Sequence, residues 1–426
     1  MCRCAVMLIL TAGGLLAETR TLTLRQAVEL ALEQNPDLTL ARLDEKKAEQ
    51  AVRLAKDPFT PKVVAGSGLA YSSGFPMSIE GATPSILQAR AIADVFNRPQ
   101  SYRVAAAKEN RRAATIDTAA KQQEVALRTA ELFLETEKAA KIEQFARQQA
   151  DGLARILATV NARVAEGREL PIESRRAALN LARAQYRSRV LESNRAYAQR
   201  VLAEVLGLNP NDRVEAAPEE RTPPALPPSE DAAIQSALQS SKELRSLEAR
   251  LLAKGFDIRA ERAERWPKLD LVAQYALLGR FNNYEDFFRK FERHNGQLGV
   301  SIQIPVWTGP RVGAAVAQAE AEAAQLRLQI RSARSRITAE TARWYQEVKQ
   351  AESARDLARL DLEVAREQVS ILLAQAEEGR AGLRPLEEAR SAETDQWLAF
   401  YDSAAALEKA RLSLLKQTGA LLAALH

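Results

Sequence analysis

The chain is written twice. Placing each residue against the one 212 positions later sets Glu166-Gly167-Arg168 on Glu378-Gly379-Arg380, Ala177 on Ala389, Leu202 on Leu414 and Gly207 on Gly419, without a gap. A shift of 206 sets Ala27, Ala31, Leu38, Pro61 and Lys62 on Ala233, Ala237, Leu244, Pro267 and Lys268, and a shift of 211 sets Val95-Phe96-x-x-Pro99 on Val306-Trp307-x-x-Pro310. Solenoid units run roughly 20 to 50 residues, so this is a domain-sized duplication, and one architecture has to account for both copies. The expected repeats are 18–217 and 230–426, joined by a Pro-rich segment at 218–229 that reads as a stiff extended linker.

Each copy reads in the same order: short helix, strand, loop, strand, very long helix, Gly-containing break, second long helix. Between Ser101 and Glu166 the only Gly or Pro is Gly152, and between Ala314 and Glu378 there is neither. Uninterrupted runs of this kind exceed the usual globular helix and point to coiled coil. At 1.5 Å per residue each spans on the order of 100 Å. In the second run Val316, Ala319, Ala323, Leu326, Ile330, Ala333 and Ile337 recur at alternating steps of three and four. That is a heptad seam whose small Ala knobs let helices approach closely.

The strands carry the other half of the message. Leu269, Leu271, Ala273 and Tyr275 alternate with Asp270, Val272, Gln274 and Ala276, and Leu298, Val300, Ile302 and Ile304 alternate with Gln297, Gly299, Ser301 and Gln303. In the first copy Leu87, Ala89, Ala91, Ala93 and Val95 alternate more weakly with Gln88, Arg90, Ile92, Asp94 and Phe96, after a Gly-rich strand through Val64 to Tyr71. Segments of about 9 to 11 residues with this period fit a transmembrane β-strand or half of a soluble sandwich. Four strands cannot close a barrel and eight leave an interior just wide enough for side chains, whereas twelve, from three chains, leave a lumen. In such a barrel the polar face lines water, the apolar face meets lipid, and Tyr71, Tyr275 and Trp307 suit the interfacial girdles.

The N-terminus has Arg3 followed by an apolar run from Ala5 to Ala17, the length of a signal-peptide core and too short to span a bilayer; residues 1–17 are therefore the expected signal peptide. Cys2 and Cys4 both fall inside it, so the expected mature chain has no disulfide, thiolate metal site or Cys nucleophile. No other stretch reaches the apolar length of a transmembrane helix, which leaves a barrel as the route into a membrane.

The net charge of +5 comes from 60 basic and 55 acidic residues interspersed along helices, without the dense basic block of a nucleic-acid binder. Catalytic chemistry is equally hard to find. Of the two histidines, His294 is read in a strand-connecting loop and His426 is terminal, and neither has a ligand or triad partner at usable spacing. Gly66-Ser67-Gly68 lacks the following helix of a phosphate cradle. The chain reads as neither an enzyme nor a cofactor or metal binder.

The opening Leu24-Arg25-Gln26-Ala27 with Asn35-Pro36-Asp37-Leu38, the Trp266-Pro267-Lys268-Leu269 entry to the second strand pair, the Ile304-Pro305-Val306-Trp307 exit with Gly309, and the doubled Glu-Gly-Arg break ending in Leu206-Gly207 and Thr418-Gly419 resemble the TolC-like outer-membrane efflux proteins. The resemblance covers nearly the whole chain after the leader. It implies a mainly α fold with a transmembrane β part: a homotrimer whose twelve-stranded outer-membrane barrel is continuous with a long periplasmic barrel of helices, with an equatorial belt. It further implies partners, a periplasmic adaptor protein and an inner-membrane transporter, as well as outer-membrane lipid. The adaptor-docking tip corresponds to the two breaks, with Gly167, Arg168, Leu170, Gly379, Arg380 and Leu383. The acidic pore constriction of the family maps onto Glu173 and Glu388; Pro385 stands where the second copy departs from the pattern, and Arg384 beside it offsets the charge.

Two functions follow. The chain is the passive exit duct of a tripartite efflux or secretion system, or it is a periplasmic coiled-coil structural or adaptor protein whose strands form a soluble sandwich.

Overall fold

The computed structural model describes residues 19–68, 85–209, 211–217, 219, 221, 224–279, 292–378, 380 and 382–425. The expected leader, Tyr71, Gly379 and His426 lie outside them. In chain order the elements are β1 (Thr19–Leu22), α1 (Leu24–Gln34), α2 (Pro36–Lys56), β2 (Lys62–Gly68), β3 (Ser85–Phe96), α3 (Arg98–Ala165), α4 (Pro171–Val205), β4 (Arg213–Ala216), α5 (Glu230–Ser240), α6 (Lys242–Ala263), β5 (Lys268–Leu278), β6 (His294–Gln303), α7 (Arg311–Glu377), α8 (Leu383–Thr418) and α9 (Leu421–Leu425). The opening helix expected in each copy is thus a pair, α1 with α2 and α5 with α6. The chain forms two units, Met1–Leu40 with Ala119–Ser241 and Arg334–His426, and Ala41–Thr118 with Lys242–Ala333, so each draws on both copies.

The second of these units holds one antiparallel sheet in the order β2-β3-β5-β6, in which the central β3–β5 pairing joins the two copies. Its register sorts the side chains by polarity. Val63, Ala91, Ala273 and Leu298 lie opposite one another, as do Ala93, Leu271 and Val300, and Leu269 with Ile302. On the other face stand Val64, Arg90, Gln274 and Gln297, then Asp94, Asp270 and Ser301. The apolar face is uncovered, with Leu298 78% and Val300 60% exposed.

Two expectations for the strands change here. A bulge between Asp94 and Phe96 leaves Val95 without a partner and sets Phe96 opposite Leu269. One extra residue inverts the two-residue alternation, so Phe96 joins the apolar face rather than the polar one. His294 is the first residue of β6 and not a loop residue, and its Nδ1 lies 2.7 Å from the Tyr275 hydroxyl.

The heptad seam of α7 packs as read: Ala319, Ala323, Ala333 and Ile337 are buried, and Val312 extends it towards the start of the helix. Ala249, Ala253 and Ala260 of α6 are buried as well, and Lys254 pairs with Glu322 at 2.8 Å, so α6 runs beside α7. Arg98 stacks 4.0 Å over Trp266, and Arg103 pairs with Glu264 at 2.7 Å. These contacts tie the start of α3 to the end of α6.

The other unit is centred on a core that includes Val28, Leu38, Phe133, Leu202, Leu206 and Leu415. The motif residues have structural explanations. Thr23 and Gln26 form a capping box, the Gln26 N–H donating to the Thr23 hydroxyl at 3.3 Å and the Thr23 N–H to the Gln26 amide oxygen at 3.0 Å. Buried Asn35 accepts from the Leu38 N–H at 3.1 Å, starting α2, and donates to the Val205 carbonyl at 2.7 Å, finishing α4. Sequence reading did not foresee the parallel pair of β1 with β4, each strand being only four residues long. The Pro-rich segment is fastened rather than free. Arg221 pairs with Glu137 and lies 3.6 Å from Glu408, and Leu226 packs against both cores of the unit.

Candidate functional site

The reversals between long helices carry the residues expected at the tip. α3 stops because Gly167 adopts a left-handed φ of 70°, which only glycine takes without strain. Its N–H donates to the Val164 carbonyl at 3.0 Å and the Arg168 N–H to the Arg163 carbonyl at 2.9 Å, the pair of bonds that satisfies a helix C-terminus. Pro171 then opens α4 at a position where its missing N–H costs nothing. A Cβ on Gly167 would meet nothing within 4 Å, and Leu170 is 68% exposed. The reversal is an open, uncovered surface.

The second reversal matches it in the residues described. The Arg380 N–H donates to the Gln375 carbonyl at 2.8 Å, and Gly382 is the N-cap of α8. Gly379 lies outside the described residues, as does the side chain of Leu383. Arg168 and Arg380 pair with Glu166 and Glu378 at 3.2 and 3.1 Å and remain solvent-facing, so each reversal carries the same Glu and Arg pair.

The expected constriction residues sit one turn into the returning helices. Glu173 pairs with Arg176 at 2.6 Å and is partly buried. Glu388 pairs with Arg384 at 2.9 Å and is exposed. The structure adds Glu387, which accepts from the Asn180 amide at 2.9 Å and so links α8 to α4. Burial raises the Glu387 carboxyl above its ordinary range; the Asn180 hydrogen bond offsets this in part, and nearby Glu173 adds to the rise. Glu387 therefore faces Glu173, while Glu388 points away. Packing along α8 separates the two: Glu387 lies seven residues before buried Thr394, and Glu388 seven before exposed Asp395.

Further along, Trp397 gathers the helices that support the reversals. Phe145 of α3 lies 5.6 Å from it, Tyr401 stacks at 5.6 Å, and Arg366 of α7 lies 5.7 Å over its ring. Sequence reading passed over this cluster, because aromatic spacing within one helix does not reveal partners on two others.

The raised Glu387 makes a testable statement. A carboxyl whose folded-state pKa is raised favours folding below its ordinary range, and that contribution is lost as pH rises through the raised value. Glu387→Gln keeps an acceptor for Asn180 without the charge. At about pH 7 the variant is expected to melt no lower than the parent and somewhat higher, with the gap closing towards about pH 4. Melting curves across that range check it, and a variant that melts lower at neutral pH would show that the charge itself is stabilising.

Residues 27–208 and 233–420 each match the sequence model of a family described as outer membrane efflux protein. Among solved structures, the chain is similar to the CusC channel protein, with a TM-score of 0.77, 17% identity and coverage of 93% of this chain and 92% of that one. It is also similar to the CmeC outer membrane channel of Campylobacter jejuni, with a TM-score of 0.75, 16% identity and coverage of 93% and 86%. The outer membrane protein VceC of Vibrio cholerae gives a TM-score of 0.74 at 16% identity, covering 93% and 96%. No curated protein matches the chain in sequence.

Proposed function

The chain belongs to the outer membrane efflux protein family, and from that premise we propose that three copies assemble into the passive exit duct of a tripartite efflux or secretion system. Twelve strands close a barrel in the outer membrane, and the long helices form its periplasmic part. The observation that carries this reading is the sheet: one face apolar along most of its length and exposed at Leu298, Val300 and Ile302, the other largely polar, and edges on β2 and β6 that are unpaired among the described residues. Lipid satisfies the apolar face, and closure with neighbouring copies removes the edges. A soluble sandwich requires a second sheet over the apolar face, and the four described strands of this unit are spent in one.

The open reversal at Gly167, Arg168 and Leu170 and its counterpart in the second copy, Gly379, Arg380 and Leu383, are the proposed docking surface for a periplasmic adaptor, through which an inner-membrane transporter delivers cargo. Glu173 and Glu388, with Arg384, are the proposed constriction, joined by Glu387. Rings of acidic side chains favour cations through a pore. Single-channel recording in planar bilayers tests both levels of the reading. The parent protein is expected to conduct with cation preference, and Glu173→Gln combined with Glu388→Gln is expected to lower that preference. Absence of any conductance would refute the duct; unchanged selectivity in the variant would move the constriction elsewhere.

A further inference from the structure

The duplication supplies an internal comparison. A shift of 212 sets Ala150 on Leu362, Ala154 on Arg366, Gln185 on Trp397, Ser188 on Phe400 and Arg189 on Tyr401. Burial agrees with this alignment, since Ala146 and Ala150 of α3 are buried like Ala358 and Leu362 of α7. At this level the two helix pairs are nonetheless filled differently. Arg366 of α7 lies 5.7 Å over the Trp397 ring of α8, and Tyr401 and Phe400 gather beside that ring at 5.6 and 6.3 Å. In the first copy the corresponding side chains are small or polar, and a groove of about 400 Å³ lies open between α3 and α4.

Bonds on either side of the groove fix its walls. Arg147 pairs with Glu192 at 3.2 Å and, nearer the reversal, Ser174 donates to Asn161 at 2.6 Å, so α3 and α4 run antiparallel past it. Ala150 and Ala154, one turn apart, give α3 an apolar floor. Asp151 of α3 and Arg189 of α4 line the groove from opposite walls, both exposed, and neither charged group is paired among the described residues. Arg147 is already held by Glu143 and Glu192, which leaves Arg189 as the cation that can take a ligand. Gln185 and Ser188 add an amide and a hydroxyl to the α4 wall.

The walls state the ligand. Unpaired charges of opposite sign on two sides of one groove complement a molecule that carries both, a carboxylate for the Arg189 guanidinium and an ammonium for Asp151. The space corresponds to that of the aromatic side chains in the second copy, so a flat ring over Ala150 and Ala154 restores the packing that Trp397 supplies there. The volume falls within the roughly 300–1,000 Å³ of small-molecule sites.

We propose that the groove between α3 and α4 binds an aromatic amino acid, with its ring on the alanine floor and its two charged groups between Arg189 and Asp151. The proposal does not depend on the trimeric reading. Its test is equilibrium dialysis of the full-length protein in mild detergent against radiolabelled L-tryptophan, with tryptamine and indole-3-acetate as probes that each lack one charge. Saturable binding of L-tryptophan is expected, and each of the other two is expected to bind about tenfold more weakly, as the loss of one charge-assisted hydrogen bond implies. Arg189→Gln and Asp151→Asn are expected to weaken L-tryptophan binding to a similar extent. Gln185→Trp, which installs the ring of the second copy, is expected to abolish binding while melting no lower than the parent. Absence of saturable L-tryptophan binding to the folded parent would overturn the site. Affinity unchanged in Arg189→Gln and Asp151→Asn would equally overturn it, and because both positions are exposed these two variants decide the matter however well the Gln185→Trp side chain packs.

Discussion

Leu298→Arg is expected to abolish stable trimer in the membrane, whereas Gln297→Arg beside it is expected to be tolerated. Leu298 stands near the middle of β6, 78% exposed, opposite Ala273 on the apolar face. An arginine on the lipid face near the bilayer midplane costs about 2–4 kcal/mol per copy, and a homotrimer incurs it three times. Gln297 pairs with Gln274 on the polar face, where a charge stays in water. Heat-modifiable trimer on gels of outer-membrane extracts reads the difference. Equal trimer yields from the two variants would mean that the faces are assigned wrongly or that the sheet does not meet lipid.

Gly207→Ala and Gly419→Ala are expected to destabilise the helical unit far more than Gly167→Ala. All three glycines have φ between 70° and 78°, so each substitution incurs about 1–2 kcal/mol for a left-handed alanine. Only two also collide. A Cβ at Gly207 falls 2.6 Å from the Gln34 carbonyl oxygen, and one at Gly419 falls 2.7 Å from the Ser240 Cβ. Overpacking of this kind adds about 1–3 kcal/mol. The two collisions are counterparts, since Gln34 ends α1 and Ser240 ends α5. Chemical denaturation followed by circular dichroism ranks the variants. Equal losses at all three positions would show that backbone strain alone decides.

The duplicated Gly-Arg break shows why parts of this fold were legible. A helix must end where its residues force it to, so the position of Gly167 and the onset at Pro171 follow from local chemistry. The seam through Ala319, Ala323 and Ala333 was equally readable, because a buried face repeats with the helix. The faces of β5 and β6 followed from the period of two. The expected site was legible in part: Glu173 could be placed by its distance from the break, but in the second copy only packing against Asn180 distinguishes Glu387 from Glu388.

Local pattern by itself determined the long helices and strands of this protein, their order, their doubling and most of the residues that share a face, because backbone conformation and side-chain periodicity are properties of short segments. Tertiary structure decided whatever depends on residues far apart in the chain. The bulge at Val95 that turns Phe96 outward exists only against β5, and β1 becomes a strand only by pairing with β4 almost two hundred residues away. Arg221 fastens its linker through carboxylates on two different helices. That Ala154 and Gln185 stand where the second copy has Arg366 and Trp397 is visible in the sequence, but only the folded chain brings the two to one groove. A pattern states which face a residue takes; what it meets there depends on where distant segments are brought together.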